Sequence, residues 1–278
     1  GLGTWHPRGG MYTVIEGMVY LAESLGVSFK TKSNVEKIIT DATNNVNALL
    51  VNGEEINTSL VLSGADYHHT ETLLDENVRQ YSEKYWDKKT FAPSSLLFYV
   101  GFDKKIENVS HHTLFFDTDF DAHAKEIYDN PQWPTDPLFY ANFTSITDVT
   151  SAPEGKEAGF FLIPLAPGIE DTEALREQYF HKILDRFEKL TNQEVKSHVL
   201  FKKSFCVNDF KEEYNSYKGN AYGMANTLLQ TAFLRPKIKS GKVKNLYFTG
   251  QLTVPGPGVP PALISGKIAS ELICKNQQ

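Results

Sequence analysis

Apolar residues recur at helical spacing directly after Pro7-Arg8-Gly9-Gly10: Met11, Val14, Ile15, Met18, Val19, Ala22 and Leu25 share one face. That spacing predicts a helix ending at Gly26, since glycine enters the left-handed region after a helix without a Cβ clash. Short β-prone runs follow at Val27 to Phe29, Val35 to Ile39, Val46 to Val51, Glu54 to Ile56 and Leu60 to Ser63. Asn44-Asn45 and Asn52-Gly53 between them are hairpin signals. A helix followed by a small meander suits a layered sheet better than a helical bundle.

The middle of the chain has a different pattern. Ser95 to Val100, Leu114 to Phe116, Leu138 to Phe143, Gly159 to Pro164 and His198 to Phe205 read as strands. Long Pro-rich loops separate them, which predicts a mostly antiparallel sheet with helices on one face. Thr172 to Leu190 reads as a helix capped at Asp171 or Thr172, with Leu175, Tyr179, Ile183, Leu184 and Phe187 facing inward. The last section returns to the first pattern: a strand at Leu246 to Thr249, a Gly/Pro turn, and a helix from about Pro261 to Cys274. The expectation is an α/β (α+β) chain in three stretches, 1–75, 76–239 and 240–278.

Composition narrows the function. Of 278 residues, 41% are hydrophobic and 22% charged, which supports a real core in a soluble chain. The net charge is -6 and no basic run exceeds short pairs such as Lys202-Lys203. A duplex binder needs a basic face to displace counterions, so nucleic acid is not an expected partner. Two isolated cysteines, Cys206 and Cys274, make no disulfide framework, and no secretory signal opens the sequence. A reducing, cytoplasmic location is expected.

The longest uncharged stretch lies between Lys244 and Lys267 and approaches the length of a membrane span. Pro255, Pro257, Pro260 and Pro261 would leave too many of its backbone groups unpaired in lipid. The stretch reads instead as a buried strand ending at Gly250, a turn opened by Gly256 and Gly258, and a helix started by Pro260 and Pro261. A helix N-terminus presents free N–H groups and partial positive charge, which suits the N1–O2 edge of a reduced flavin. A ligand-free strand-turn-helix connection explains the same residues equally well.

Other candidates carry less. The histidines of His68-His69 and of His111-His112 point apart on a strand and diverge by about 100° on a helix, so they chelate poorly. Asp117, Asp119 and Asp121 lack the Gly and distal Glu of a calcium loop, so no metal is expected. No G-x-S-x-G elbow occurs, which disfavours a hydrolase. Adjacent aromatics, Phe98-Tyr99, Phe115-Phe116, Phe139-Tyr140 and Phe160-Phe161, should each place one ring in the core and one on the opposite sheet face. Those outer rings suit ordinary packing or an apolar tunnel.

The motifs resemble the bacterial-type phytoene and carotenoid desaturases, flavoproteins with an amine-oxidase-like fold. The signature is Asn245-Leu246-Tyr247, Gly250, then Pro255-Gly256-Pro257-Gly258-Val259-Pro260. Pro7-Arg8-Gly9-Gly10-Met11, Ser63-Gly64-Ala65-Asp66, Thr147-Asp148, Ala152-Pro153-Glu154-Gly155, Asn208-Asp209-Phe210, Gly219 to Gly223 and Arg235-Pro236 follow the family in order. Gln251-Leu252 stands where the family has two small residues, Val254 where it often has His, and Gly64 where it has Asn.

The resemblance implies a segmented, Rossmann-like FAD-binding domain (1–75 and 240–278) with a substrate domain inserted at 76–239. It would put Val35 near the adenine, Gly64 near the ADP portion, and Gly250 and Gln251 near the pyrophosphate or ribityl. Val259, Pro260, Pro261 and Ala262 would border the flavin ring. The implied reaction is FAD-dependent desaturation of a carotenoid, with hydride passing to flavin N5. A later-step 3,4-desaturation of a hydroxycarotenoid, polyene isomerisation, and a non-catalytic carotenoid or lipid carrier are the alternatives. No catalytic acid or base is assigned; Tyr222 and Gln230 are the residues to test. A lipid-dwelling substrate implies peripheral contact with a membrane surface.

The family's G-x-G-x-x-G fingerprint does not occur, since Gly1-Leu2-Gly3 has no strand before it. The sequence therefore reads as a C-terminal portion. These 278 residues alone should lose FAD during gel filtration. Flavin absorbance that co-elutes with the chain would contradict that expectation.

Overall fold

The computed structural model describes residues 5–277, so Gly1-Leu2-Gly3 lies outside the described residues. Gly9 and Gly10 lead into α1 (Tyr12–Ser24), which the apolar spacing predicts. Gly26, at φ +87°, and Val27 close it by donating to Glu23 O at 2.9 Å and Ala22 O at 3.0 Å. Val27 to Phe29, expected as a strand, forms none. Val27 spends its N–H on the helix end, and the segment joins none of the sheets. No residue of α1 is buried.

Three strands form the expected meander: β1 (Val35–Thr40), β2 (Val46–Val51) and β3 (Glu54–Asn57), all antiparallel. Asn44 and Asn52 take positive φ in its turns, as hairpin residues do. β4 (Val61–Ser63) then runs into the Gly64-Ala65 turn and α2 (Tyr67–Thr72), which Asp66 caps by accepting from His69 N at 3.1 Å. α3 (Glu83–Asp87) follows, capped by Ser82.

The middle stretch builds a five-stranded antiparallel sheet from β5 (Ser94–Phe102), β6 (His112–Phe115), β7 (Phe139–Phe143), β8 (Glu157–Leu165) and β9 (Val199–Phe205). Its order is β6-β7-β8-β5-β9. Along β8 burial alternates strictly: Gly159, Phe161, Ile163 and Leu165 are buried and Phe160, Leu162 and Pro164 are half-buried. The period of two puts one ring of each aromatic pair inside. α5 (Glu173–Thr191), capped by Thr172, lies on the inner face through Tyr179, Phe180, Ile183, Leu184 and Phe187. α4 (Phe120–Tyr128) and α6 (Val207–Tyr214) flank the sheet. Asp119 caps α4 and Asp117 pairs with Arg186, so the acidic loop has structural partners.

The chain ends with β10 (Leu246–Phe248) and α7 (Val259–Gln277). β10 pairs parallel with β4, Leu246 opposite Val61 and Phe248 opposite Ser63. Two cores result. One fills the space between the five-stranded sheet and α5 with residues from 96 to 207. The other gathers Ile38, Tyr67, Trp86, Phe91, Met224, Phe248 and Leu252, with Tyr67 stacked on Phe248 at 3.6 Å.

A carboxyl group sits in the second core. Glu71 is buried, and its Oε1 accepts from Gln80 N at 2.7 Å. Burial outweighs those backbone donors and raises its pKa to about 7. The folded state therefore holds this proton more tightly than the unfolded chain, whose carboxyl titrates near 4.5. Its contribution is full below pH 4.5 and is lost as pH rises through 7, by about 3 kcal/mol in total. Urea unfolding should show Glu71→Gln gaining on the wild type across that interval and holding a constant advantage above it. A difference independent of pH would contradict the assignment.

Candidate functional site

Two parallel strands that end side by side leave their following turns adjacent, and here those turns carry glycine. β4 runs into Gly64-Ala65-Asp66 and β10 into Thr249-Gly250-Gln251. Thr249 N donates to Ser63 O at 2.9 Å, extending the pairing one residue beyond the strands. Gly250 takes φ +103°, and a Cβ there would lie 3.8 Å from Gly64 O. Asn245 anchors the entry to β10. Its Oδ1 accepts from Val46 N at 2.6 Å, and its Nδ2 donates to Val46 O at 2.8 Å and Ser59 O at 2.7 Å.

The turn after Gly250 is held from both sides. Ser265, fully buried on α7, accepts from Gly250 N at 2.7 Å and bonds Thr249 Oγ1. Thr253 Oγ1 donates to Gly250 O at 2.9 Å. From behind, the buried Arg235 guanidinium donates to Gln251 O at 3.1 Å, Met224 O at 3.0 Å and Asn226 Oδ1. Burial lowers the Arg235 pKa. Gly256 packs on that guanidinium, where a Cβ would come within 3.1 Å of Nη2. Gly223 lets the 220–224 loop approach the same turn, since a Cβ there would lie 3.1 Å from Gln251 O.

These elements enclose a cavity of about 540 Å³. Gly64, Ala65, Gly258 and Ala262 give it small walls, Phe210, Tyr214 and Tyr222 an aromatic side, and Gln251, Thr249 and Asp66 its polar edge. Asp66 Oδ2 accepts from Tyr217 N at 3.3 Å, and burial raises its pKa. Among the described residues, the lining contains no Lys or Arg. A flat, largely uncharged ring fits such walls; a diphosphate finds no cation among them.

Of the expected site residues, Gly64, Gln251, Val259 and Ala262 line this cavity. Gly250 shapes it through its backbone, while Pro260 and Pro261 start α7 beside it without lining it. Val35 does not line it and opens β1 in the separate meander. Tyr222 is at the cavity, whereas Gln230 is a structural strut. Its Oε1 accepts from Thr90 N at 3.0 Å, and its Nε2 donates to Thr90 O at 2.8 Å and Ala225 O at 3.1 Å. Sequence reasoning did not single out Ser265 or Tyr214. A serine one turn into an apolar helix gives no signal of its own.

The chain is 41% identical over 276 residues to the carotenoid 3,4-desaturase of Haloarcula japonica, covering 99% of the chain and 56% of that protein. The chain is homologous to the carotenoid desaturases. The zeta-carotene-forming phytoene desaturase of Myxococcus xanthus is 30% identical over 275 residues, covering 98% of the chain and 53% of that enzyme. The 4,4'-diapophytoene desaturase of Staphylococcus aureus is 30% identical over 283 residues, covering 97% and 56%. The chain thus spans about half the length of the desaturases it matches. No protein-family model matches it.

Solved structures agree on the fold. An oxidoreductase from Methanosarcina mazei superposes with a TM-score of 0.65 at 15% identity, over 95% of the chain and 55% of that structure. Putrescine oxidase bound to putrescine gives 0.57 at 12% identity, over 96% and 53%. The desaturase homologue therefore has the mixed α/β architecture of these oxidoreductases.

Ser265 carries the local stability of the turn. Ser265→Ala leaves the half-buried Gly250 N–H without its acceptor and should cost about 1 kcal/mol in urea unfolding. An unchanged midpoint would show that the bond contributes nothing.

Proposed function

We propose that the chain is the larger part of the working machinery of an FAD-dependent carotenoid desaturase. The single observation that carries this reading is the continuity between the glycine-walled cavity and the aromatic outer face of the five-stranded sheet. Phe210 and Tyr214 belong to both: they line the cavity, and they pack on Phe205 of β9 at 4.8 and 6.1 Å. Beyond them lie the half-buried or exposed Tyr99, Phe160, Tyr140 and Leu162. A ring held at Gly64, Gln251, Val259 and Ala262 would meet a long apolar ligand laid on that face.

Within this reading the segments 1–75 and 240–278 hold the cofactor, and 76–239 forms the substrate domain. The second core joins the flanks of the inserted segment, through Trp86 and Met224, to the outer segments. Bound FAD would supply the hydride acceptor. The chain's residues would do the rest. Gly250 and Gly64 permit close approach, the N-terminal end of α7 favours negative charge on the ring edge, and the apolar walls exclude water. No side chain at the cavity is required as a strong base, because a cation beside a polyene is delocalised. The 41% identity to a 3,4-desaturase favours that bond position over the earlier steps of desaturation.

The substrate dwells in lipid, so we place the protein in the cytoplasm in peripheral contact with a membrane. No helix among the described residues is long and apolar enough to cross one. A second cavity of about 330 Å³ supports surface contact. It opens at the end of the same sheet face between Leu114, Phe116, Phe120, Tyr128 and Leu162, of which the first four are exposed.

Anaerobic mixing tests the reading. Full-length protein carrying this chain and loaded with FAD should lose its flavin absorbance when given a hydroxylated acyclic carotenoid, with a longer conjugated product. Carotenoid bound without bleaching would mark a carrier instead.

A further inference from the structure

The segment that follows the 220–224 loop inverts the usual rule of burial. Its polar Gln230 and Arg235 are only 5% and 3% exposed, whereas Leu228, Leu229 and Phe233 are 92%, 79% and 89% exposed. Single exposed apolar residues are ordinary, but three nearly bare ones beside buried polar side chains are not.

The exposure is braced from within. Two 3-10 turns, Leu228–Gln230 and Ala232–Leu234, satisfy part of the backbone. Gln230 N donates to Thr227 O at 2.9 Å and Leu234 N to Thr231 O at 3.0 Å. Gln230 ties the middle of the segment to Thr90 and Ala225, and Arg235 ties its end to Met224, Asn226 and Gln251. Beneath it, residues 90–93 run along 221–225. Ala225 N donates to Thr90 O at 3.0 Å, and Ala92 N donates to Gly223 O at 2.8 Å. The segment is an apolar tip on a fixed base.

Charge around that base is one-sided. The chain carries a net charge of -6, yet no Asp or Glu occurs between Glu213 and Glu271. Lys88 and Lys89 immediately precede Thr90, and Lys237 follows Arg235 by two positions. None of these three lysines forms an ion pair with a carboxylate among the described residues. The neighbouring carboxylate of Asp87 is already engaged, accepting from Tyr217 OH at 2.8 Å and Lys218 Nζ at 3.0 Å. Lys239, Lys242 and Lys244 continue the basic run.

We propose that the Leu228–Phe233 tip and its collar of lysines dock on an anionic lipid surface. Leu228, Leu229 and Phe233 enter the boundary between headgroups and acyl chains, and Lys88, Lys89 and Lys237 stay at headgroup level against the lipid phosphates. Other occupants fit worse. A second copy would set the same lysines against each other, and a nucleic acid offers phosphate but no apolar phase for the leucines. The tip also adjoins the second cavity. Thr90 holds Gln230, and Pro93, three residues on, lines that cavity, a separation of at most about 11 Å. The proposal rests on the peripheral contact inferred above, and adds to it the segment and the lipid charge that make the contact.

Sedimentation with vesicles tests it, on full-length protein loaded with FAD. One set of vesicles is phosphatidylcholine alone, and the other is phosphatidylcholine with an equal part of phosphatidylglycerol. Wild type should bind the anionic set about tenfold more tightly or better, and high salt should remove the difference. Leu228→Gln/Phe233→Gln should weaken binding to both sets by about tenfold or more, with Tm and flavin content unchanged. Lys88→Gln/Lys89→Gln/Lys237→Gln should lose the preference for the anionic set and keep the affinity for phosphatidylcholine. Binding that survives the apolar and the lysine changes overturns the proposal and leaves peripheral contact intact. A lower Tm of the apolar variant without vesicles means that protein covers the tip, and overturns it too. Sedimentation with neither set overturns the peripheral contact and this proposal with it.

Discussion

The parallel pairing of β4 with β10 is the constraint on which the site depends. Each strand has three residues, and the two are brought together from positions 61–63 and 246–248. Parallel strands cannot be joined by a tight turn and need a crossover. Here the connection contains the entire five-stranded sheet and its helices. Two turns rich in small residues thereby meet at one edge, and the unit between them supplies the aromatic side of the same cavity. A pairing so short is not self-sufficient. Asn245 ties it to the meander, and Ser265 and Arg235 fix the turn that follows it.

Much of this was legible because periodicity reports burial directly. The alternation in β8 and the apolar stripe of α5 follow from which side chains face the inner core. The glycines and prolines after Leu246 marked a sharp turn for steric reasons, without deciding between a ligand site and a ligand-free connection; Gly64, Gln251, Val259 and Ala262, which the family resemblance named, line one cavity there. Other features depend on partners that local sequence does not name. Val27 to Phe29 has β propensity, but its first N–H closes α1. Val35 begins a strand as expected, in the meander rather than in the β4–β10 pair. Gln230, a residue to test for catalysis on the sequence, has both ends of its amide engaged by the backbone of Thr90, 140 positions earlier.

The histidine pairs show the same limit. Adjacent histidines on a strand point apart, which is the expectation for His111 and His112, but their rings lie 4.4 Å from each other. His111 lies just before β6, where the strand rule does not apply, and both rings open on one cleft. The third imidazole, His6, comes from the segment ahead of α1. Long-range assembly makes a polar pocket from groups that look unremarkable in order. The two ends of the outer sheet face thus differ in chemistry: small uncharged walls at one, imidazole and carboxylate at the other.

The central claim is that the ends of β4 and β10 form the ring-binding edge of a flavin site. Backbone amide exchange, followed with and without saturating FAD, reads that edge directly. The account predicts slower exchange at Gly64 to Asp66 and from Thr249 to Ala262, with the inner strand β8 of the five-stranded sheet unchanged. Exchange unchanged at both turns would contradict it.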